Sequence, residues 1–143
     1  MENMPVTGYA AEGKSLARID GKVIFIQGAV PGDVADVLIT KNKKDWAEGN
    51  VIKINQYSSE RVIPFCIHFG VCGGCKWQML PYQKQLEYKE QEARDIFKRI
   101  GKLHDAVVLP IIGSDDTIHY RNKLEFTFSN KKYLTGDEFK ELR

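Results

Sequence analysis

The residues with the most chemical potential sit together in Cys66-x5-Cys72-Gly73-Gly74-Cys75. A C-x2-C pair lets two thiolates reach one metal centre across a tight turn. The two glycines between them free the backbone for positive φ and for aiming amides at sulfur. Cys66, six residues upstream of Cys72, can close the same loop as a third ligand. Nearby Lys76, Lys84 and Lys89 would favour thiolate over thiol if the fold brings them close. Two metals suit the pattern. Zinc takes four tetrahedral ligands, and Cys66, His68, Cys72 and Cys75 would supply a Cys3His set. An iron–sulfur cluster takes four cysteines as a rule, and this chain has three. Spacing alone leaves both open. An odd cysteine count argues against a disulfide framework, and no His/Asp partner is evident nearby to make a thiol a nucleophile.

Composition narrows the setting. Of 143 residues, 43% are apolar and 28% charged, a globular mixture. The longest aliphatic or aromatic run is Val23-Ile24-Phe25-Ile26, far short of the roughly 20 residues that span a bilayer. The start, Met1-Glu2-Asn3-Met4-Pro5, has neither the basic n-region nor the apolar h-region of a secretory signal, so a cytoplasmic protein is expected. Net charge is only +2, but residues 61–104 carry eight basic and four acidic side chains and all three cysteines. The cationic middle of the chain is thus also its cysteine-bearing part.

Those cysteines need elements to position them. Residues 1–60 read as a small all-β unit, with strands predicted over Ser15–Asp20, Lys22–Gln27, Asp33–Thr40 and Trp46–Asn55. Asp20-Gly21, Pro31-Gly32-Asp33 and Lys41–Asp45 are the turns between them. Strands this short and closely spaced favour a closed barrel, which removes exposed edges. About 60 residues bury only a modest core, so this unit should pack on something else. Residues 61–104 hold the cysteine loop and one amphipathic helix over Pro81–Ile100. Pro81 stands at its start and Gly101 just past its end, with Tyr82, Leu86, Ala93, Phe97 and Ile100 on one core-facing side. Residues 105–143 open a further α/β (α+β) region with a period-2 strand over Ile118–Ser129. The polar Lys131–Arg143 gives that strand no adequate partner, and the expectation is a chain cut inside a larger domain.

Beyond these patterns, the chain resembles a known family. The cysteine block followed by Lys76-Trp77-Gln78, then Leu80-Pro81-Tyr82-x2-Gln85-Leu86-x2-Lys89, resembles the RNA (uracil-5-)-methyltransferases. The branch resembled acts on 23S ribosomal RNA and carries an iron–sulfur cluster. Pro110-Ile111-Ile112-Gly113-Ser114 and His119-Tyr120-Arg121-Asn122-Lys123 extend the likeness, and the all-β start resembles the OB-like TRAM barrel of those enzymes. The resemblance implies a [4Fe–4S] cluster with Cys66, Cys72 and Cys75 as ligands and a fourth cysteine outside this chain. It also implies methyl transfer from S-adenosylmethionine to uracil C5. In that chemistry a cysteine attacks C6 and a base later removes the C5 proton. No Gly-rich cofactor loop follows a strand here, and the cysteines belong to the cluster motif. No catalytic or S-adenosylmethionine-binding residue is therefore expected in this chain, which alone should be inactive.

A ribosomal RNA partner would be gripped by basic grooves and aromatic platforms. The candidates are Lys14, Lys41, Lys43, Lys44, Trp46 and Lys53 on the barrel, and Arg121 and Lys123 on the late strand. Each lysine also has a plain reading as a solvated hairpin charge, and Trp46 as barrel core. Trp77 suits shielding the cluster better than binding a base. The competing function is a stand-alone RNA-binding module with a structural Cys3His zinc. Radical methylthiotransferases also join a TRAM domain to a cluster, but there the barrel comes last and the cysteines are spaced C-x3-C-x2-C.

Overall fold

A computed structural model describes residues 1–70, 73–119, 123, 128–132, 134, 138 and 141. The strands are β1 (Met4–Pro5), β2 (Gly8–Tyr9), β3 (Ser15–Ile19), β4 (Lys22–Gln27), β5 (Val34–Asn42) and β6 (Trp46–Gln56). They form one sheet in the order β1-β5-β6-β4-β3-β2, antiparallel throughout except for β4 beside β6. β1 and β2 are two halves of a single kinked stretch. Met4 pairs with Ala35 at one end of the sheet and Gly8 with Leu16 at the other. The change of partner falls between Val6, whose N–H donates to the Asp33 carbonyl at 2.9 Å, and Thr7, whose N–H donates to the Leu16 carbonyl at 2.7 Å. One stretch thus joins both sheet ends, and the barrel closes as the strand spacing led one to expect.

Predicted β3 to β6 match within two residues at each end. The closing stretch was not expected, because Pro5 and Gly8 interrupt it and each half is only two residues long. Burial alternates along the strands. Ile24 and Ile26 are fully buried while Val23 and Phe25 turn outward. On β6, Ala47 and Gly49 point in and Trp46 and Glu48 out. Small residues fill much of the lumen, and at Gly49 smallness is obligatory: a Cβ there would stand 2.6 Å from Val37 Cγ1 and 2.7 Å from the Leu38 carbonyl oxygen. The β3–β4 turn uses Asp20 at φ 49° and Gly21 at φ 79°, the left-handed pair a two-residue hairpin requires.

A buried carboxylate ties the chain beyond β6 back to the barrel. Asp33 accepts hydrogen bonds from the amides of Val30 (2.8 Å) and Ser58 (2.9 Å), and from Arg61 Nη2 at 2.6 Å. Burial pushes its pKa up, but the guanidinium and the two amides outweigh that and hold it below the ordinary value. Next to this latch, Val30, Met79 and Leu80 are buried together, with Tyr9, Phe69 and Tyr88 packed on them. The barrel therefore does pack on something: the segment carrying the cysteines.

The helix α1 covers Tyr82–Asp95 and widens into a π-helical turn over Ile96–Ile100. Pro81, at φ −57° and ψ 145°, stands just before the first helical residue rather than in it. The predicted core face needs correcting. Tyr82, Leu86 and Ala93 are half-buried, Phe97 and Ile100 are 44% and 78% exposed, and no residue of α1 is fully buried. The residue that meets the barrel is Tyr88, from a different side of the helix. Its ring lies 4.8 Å from Tyr9, and its hydroxyl donates to Glu60 at 2.7 Å. The Tyr82–Leu86 side instead holds an extended segment that runs back along the helix. Arg94 Nη2 donates to the Val108 carbonyl (2.9 Å), Glu90 accepts from the Ile111 amide (2.9 Å), and the Tyr82 hydroxyl accepts from the Ser114 amide (2.7 Å). Most of the predicted strand over 118–129, Arg121 included, lies outside the described residues.

Candidate metal centre and nucleic-acid interface

Cys66 and Cys75 open onto one groove of about 1050 Å³ between the cysteine loop, the start of α1 and residues 114–119. Cys66 is half-buried and Cys75 exposed, and neither is in a disulfide. The side-chain oxygen of Gln78 accepts the Cys66 amide at 3.3 Å, and the Cys66 carbonyl accepts the Phe69 amide at 3.0 Å, so both sides of this cysteine are anchored. Gly73, at φ 72°, supplies the left-handed residue of the turn into Cys75. Cys72 lies outside the described residues, and among those described no three His, Cys, Asp or Glu side chains converge. His68 is exposed and is not among the residues lining the groove. Two thiols on one groove, with a left-handed glycine between the C-x2-C positions, fit a thiolate-held metal group.

The expected cationic neighbours separate. Lys84 is held by Glu87 (2.8 Å) and Glu60 (3.0 Å), whose hydrogen bonds raise its pKa, that of Glu87 first. Lys76 reaches across to the barrel and donates to the Glu12 carbonyl at 2.8 Å. Lys76 and Lys89 both line the groove, the Lys89 ammonium 5.7 Å from the centre of the Trp77 ring. Trp77 does more than line the groove. Its ring packs on Tyr9 at 4.9 Å, and its buried Nε1 has no hydrogen-bond partner among the described residues and sits against Gly13, where a Cβ would come within 2.8 Å. Gly13 is needed there both for its φ of 72° and for this approach. Burial pushes the Tyr9 phenol up, as it does that of Tyr88, so both rings remain neutral packing groups.

The structure divides the RNA candidates on the barrel. Lys41 and Trp46 come together, the ammonium 4.6 Å from the ring centre. Lys43 and Lys44 are exposed in the adjoining β5–β6 turn. Lys14 is committed elsewhere: Glu48 at 3.2 Å and Glu12 at 3.4 Å hold it and raise its pKa, the Glu48 hydrogen bond first. Lys53 is exposed but roughly 20 Å along β6 from Trp46. Lys123 is exposed, whereas Arg121 lies outside the described residues. The sequence reading passed over Phe25, whose ring meets Trp46 edge-on at 6.2 Å. The alternation that sends Ile24 and Ile26 inward was the available signal, since it sends Phe25 out beside the first residue of β6.

Comparison with known proteins adds to this geometry. A TRAM domain matches residues 5–52, the span of the barrel. An uncharacterized RNA methyltransferase of Bacteroides thetaiotaomicron is 51% identical over 132 residues, 92% of this chain and 29% of that protein. The chain carries a TRAM domain and, over most of its length, is similar to proteins named RNA methyltransferases. A 23S rRNA (uracil(1939)-C(5))-methyltransferase of Legionella pneumophila is 37% identical over 138 residues, 95% of this chain and 31% of that enzyme. This TRAM-bearing chain therefore spans less than a third of the length of these relatives. A tRNA (uracil-54, C5)-methyltransferase of Pyrococcus abyssi, solved with S-adenosyl-L-homocysteine, is 26% identical with a TM-score of 0.43 over 66% of this chain and 21% of that one, too loose a likeness to carry an argument. No described helix is long and apolar enough to cross a membrane.

Proposed function

We propose that this chain is the RNA-binding front part of an S-adenosylmethionine-dependent methyltransferase acting on uracil C5 of 23S ribosomal RNA. The observation that carries the reading is the alignment with the Legionella enzyme, which runs from the barrel through the cysteine block and α1. Within such an enzyme S-adenosylmethionine supplies the methyl group. The part played by this chain is to bind and orient RNA, with the barrel as one contact surface and the cysteine loop as its neighbour. Cys66, Cys72 and Cys75 are proposed as thiolate ligands of a [4Fe–4S] cluster whose fourth cysteine lies outside this chain. The shared groove of Cys66 and Cys75 supports a common centre, and the exposed His68 off that groove gives the Cys3His zinc set no support. A structural part for the cluster follows from the chemistry, since moving a methyl group to uracil needs no electron transfer.

The test is made on the longer protein that carries this chain. Purified without oxygen, it should be brown with matched iron and sulfide, and should label unmodified 23S rRNA at uracil C5 from radioactive S-adenosylmethionine. Label elsewhere, or none, overturns the proposed substrate. A colourless protein with one tight zinc, lost on His68→Ala, overturns the cluster and establishes the zinc site.

A further inference from the structure

The outer face of the barrel carries an aromatic patch that the cysteine groove does not explain. Across three strands, register places Arg18 of β3, Val23 of β4 and Trp46 of β6 in one row. The next row holds Leu16 of β3, Phe25 of β4, Glu48 of β6 and Lys41 of β5. Paired residues in neighbouring strands face the same way, so these side chains share the solvent side while Ile24, Ile26 and Ala47 fill the lumen. Val23, Phe25, Asp45, Trp46 and Glu48 line an open depression of about 460 Å³, within the size range of small-ligand sites.

Charge defines what the patch suits. Arg18 on β3 and Lys41 on β5 are three strand spacings apart, about 14 Å measured across the strands, and the Lys41 ammonium lies over the Trp46 ring at 4.6 Å. Lys43 and Lys44 follow Lys41 in the turn. Of the two acids that line the depression, Glu48 is paired with Lys14 at 3.2 Å, and Asp45 is the other. A half-buried pair of rings set edge-on at 75°, with cations beside them, suits a planar base carried on a polyanion.

The geometry points to a stacking platform: the Trp46 ring, with Phe25 edge-on beside it, receives one unstacked base of single-stranded RNA in place of the Lys41 ammonium now over it, and Lys41 and Arg18 hold the backbone. This rests on the RNA-binding reading above and deepens it by naming where and how the barrel grips. A duplex is excluded, because its bases are already stacked and shielded from the rings.

The test uses the full chain with a single-stranded oligouridylate of about 12 nucleotides, read by tryptophan fluorescence at several salt concentrations. Binding should quench Trp46, and Trp46→Phe should abolish the quenching while keeping most of the affinity. Trp46→Ala should weaken binding roughly 5- to 100-fold. Arg18→Gln and Lys41→Gln should each lower the slope of log affinity against log salt by roughly 0.7. The same strand annealed to oligoadenylate should not quench. Melting curves establish that each variant is folded, and if Trp46→Ala unfolds, the Trp46→Phe quenching and the two salt slopes decide. Oligouridylate binding that is unaffected by the platform variants, or quenching that survives in Trp46→Phe, overturns the platform and leaves the RNA-binding reading standing. No binding even at low salt overturns both.

Discussion

The barrel and the cysteine–helix region are held by different physics. The barrel has a continuous apolar core in which Met4, Ile24, Ile26, Ala35 and Val37 are wholly buried. Beyond residue 60, the described residues contribute only Met79 and Leu80 to any buried apolar cluster, and Ile63 is 95% exposed. In place of a core this region has directional contacts: Lys84 to Glu60, Glu90 to the Ile111 amide, and Tyr82 to the Ser114 amide. Apolar burial is cumulative and indifferent to direction, so it supports a fold by itself. Single polar contacts each contribute only about 1 kcal/mol, so a region built on them depends on neighbours. The cysteines lie in the part with little core of its own, where a bound metal group would contribute most to order.

Removing the latch between the two regions should have the largest effect. Asp33→Ala leaves Arg61 and two amides without their acceptor and should cost about 3–5 kcal/mol, measured by urea unfolding. The same latch predicts an acid response. The folded pKa of Asp33 lies below its ordinary 3.8, so its contribution is complete above that value and is lost as pH falls towards the folded pKa. The urea midpoint should therefore fall on acidification from pH 5, and Asp33→Asn should flatten that fall. An unchanged pH profile in Asp33→Asn would show that the latch does not bear on stability.

The barrel has its own sensitive point. Gly49→Ala should cost about 1–3 kcal/mol, near the upper end because a backbone carbonyl stands in the way and cannot swing aside. A melting temperature equal to that of the unsubstituted chain would contradict the close approach at Val37 and Leu38. Uncoupling should be milder. Trp77→Leu removes the ring contact with Tyr9, worth about 0.5–1.5 kcal/mol beyond the area lost. Hydrogen exchange should then quicken in α1 and the cysteine loop while β4 and β6 stay protected; equal loss in both regions would mean that they unfold as one unit. The smallest effect belongs to Glu90→Gln, which should speed exchange of the Ile111 amide and leave the barrel's midpoint unchanged.

The barrel was largely legible in sequence because period-2 alternation is a local signal. Val23-Ile24-Phe25-Ile26 declares which side chains go in before any partner is known. The stretch Met4–Tyr9 was not legible, since each half is too short to carry a period and its role exists only through two distant partners. The helix was legible as a helix, but its working faces were misjudged. Apolar spacing pointed to Phe97 and Ile100, whereas Tyr88 meets the barrel and the Tyr82-Leu86-Glu90-Arg94 row holds residues 108–114. That four-residue spacing was visible, but half its members are charged, and a charged row ordinarily reads as solvent-facing.

The sequence by itself determined the strand units, the helix and the spacing of the thiols, because all of these follow from residue type and short spacing. Only the tertiary structure decided that Cys66 and Cys75 share a groove, that Lys14 and Lys84 are taken up by carboxylates, and that Arg18, Phe25, Trp46 and Lys41 lie across four adjacent strands. Those facts join residues up to 34 positions apart in the chain, and such meetings are set by how the barrel closes and which faces remain to pack, which no local period encodes.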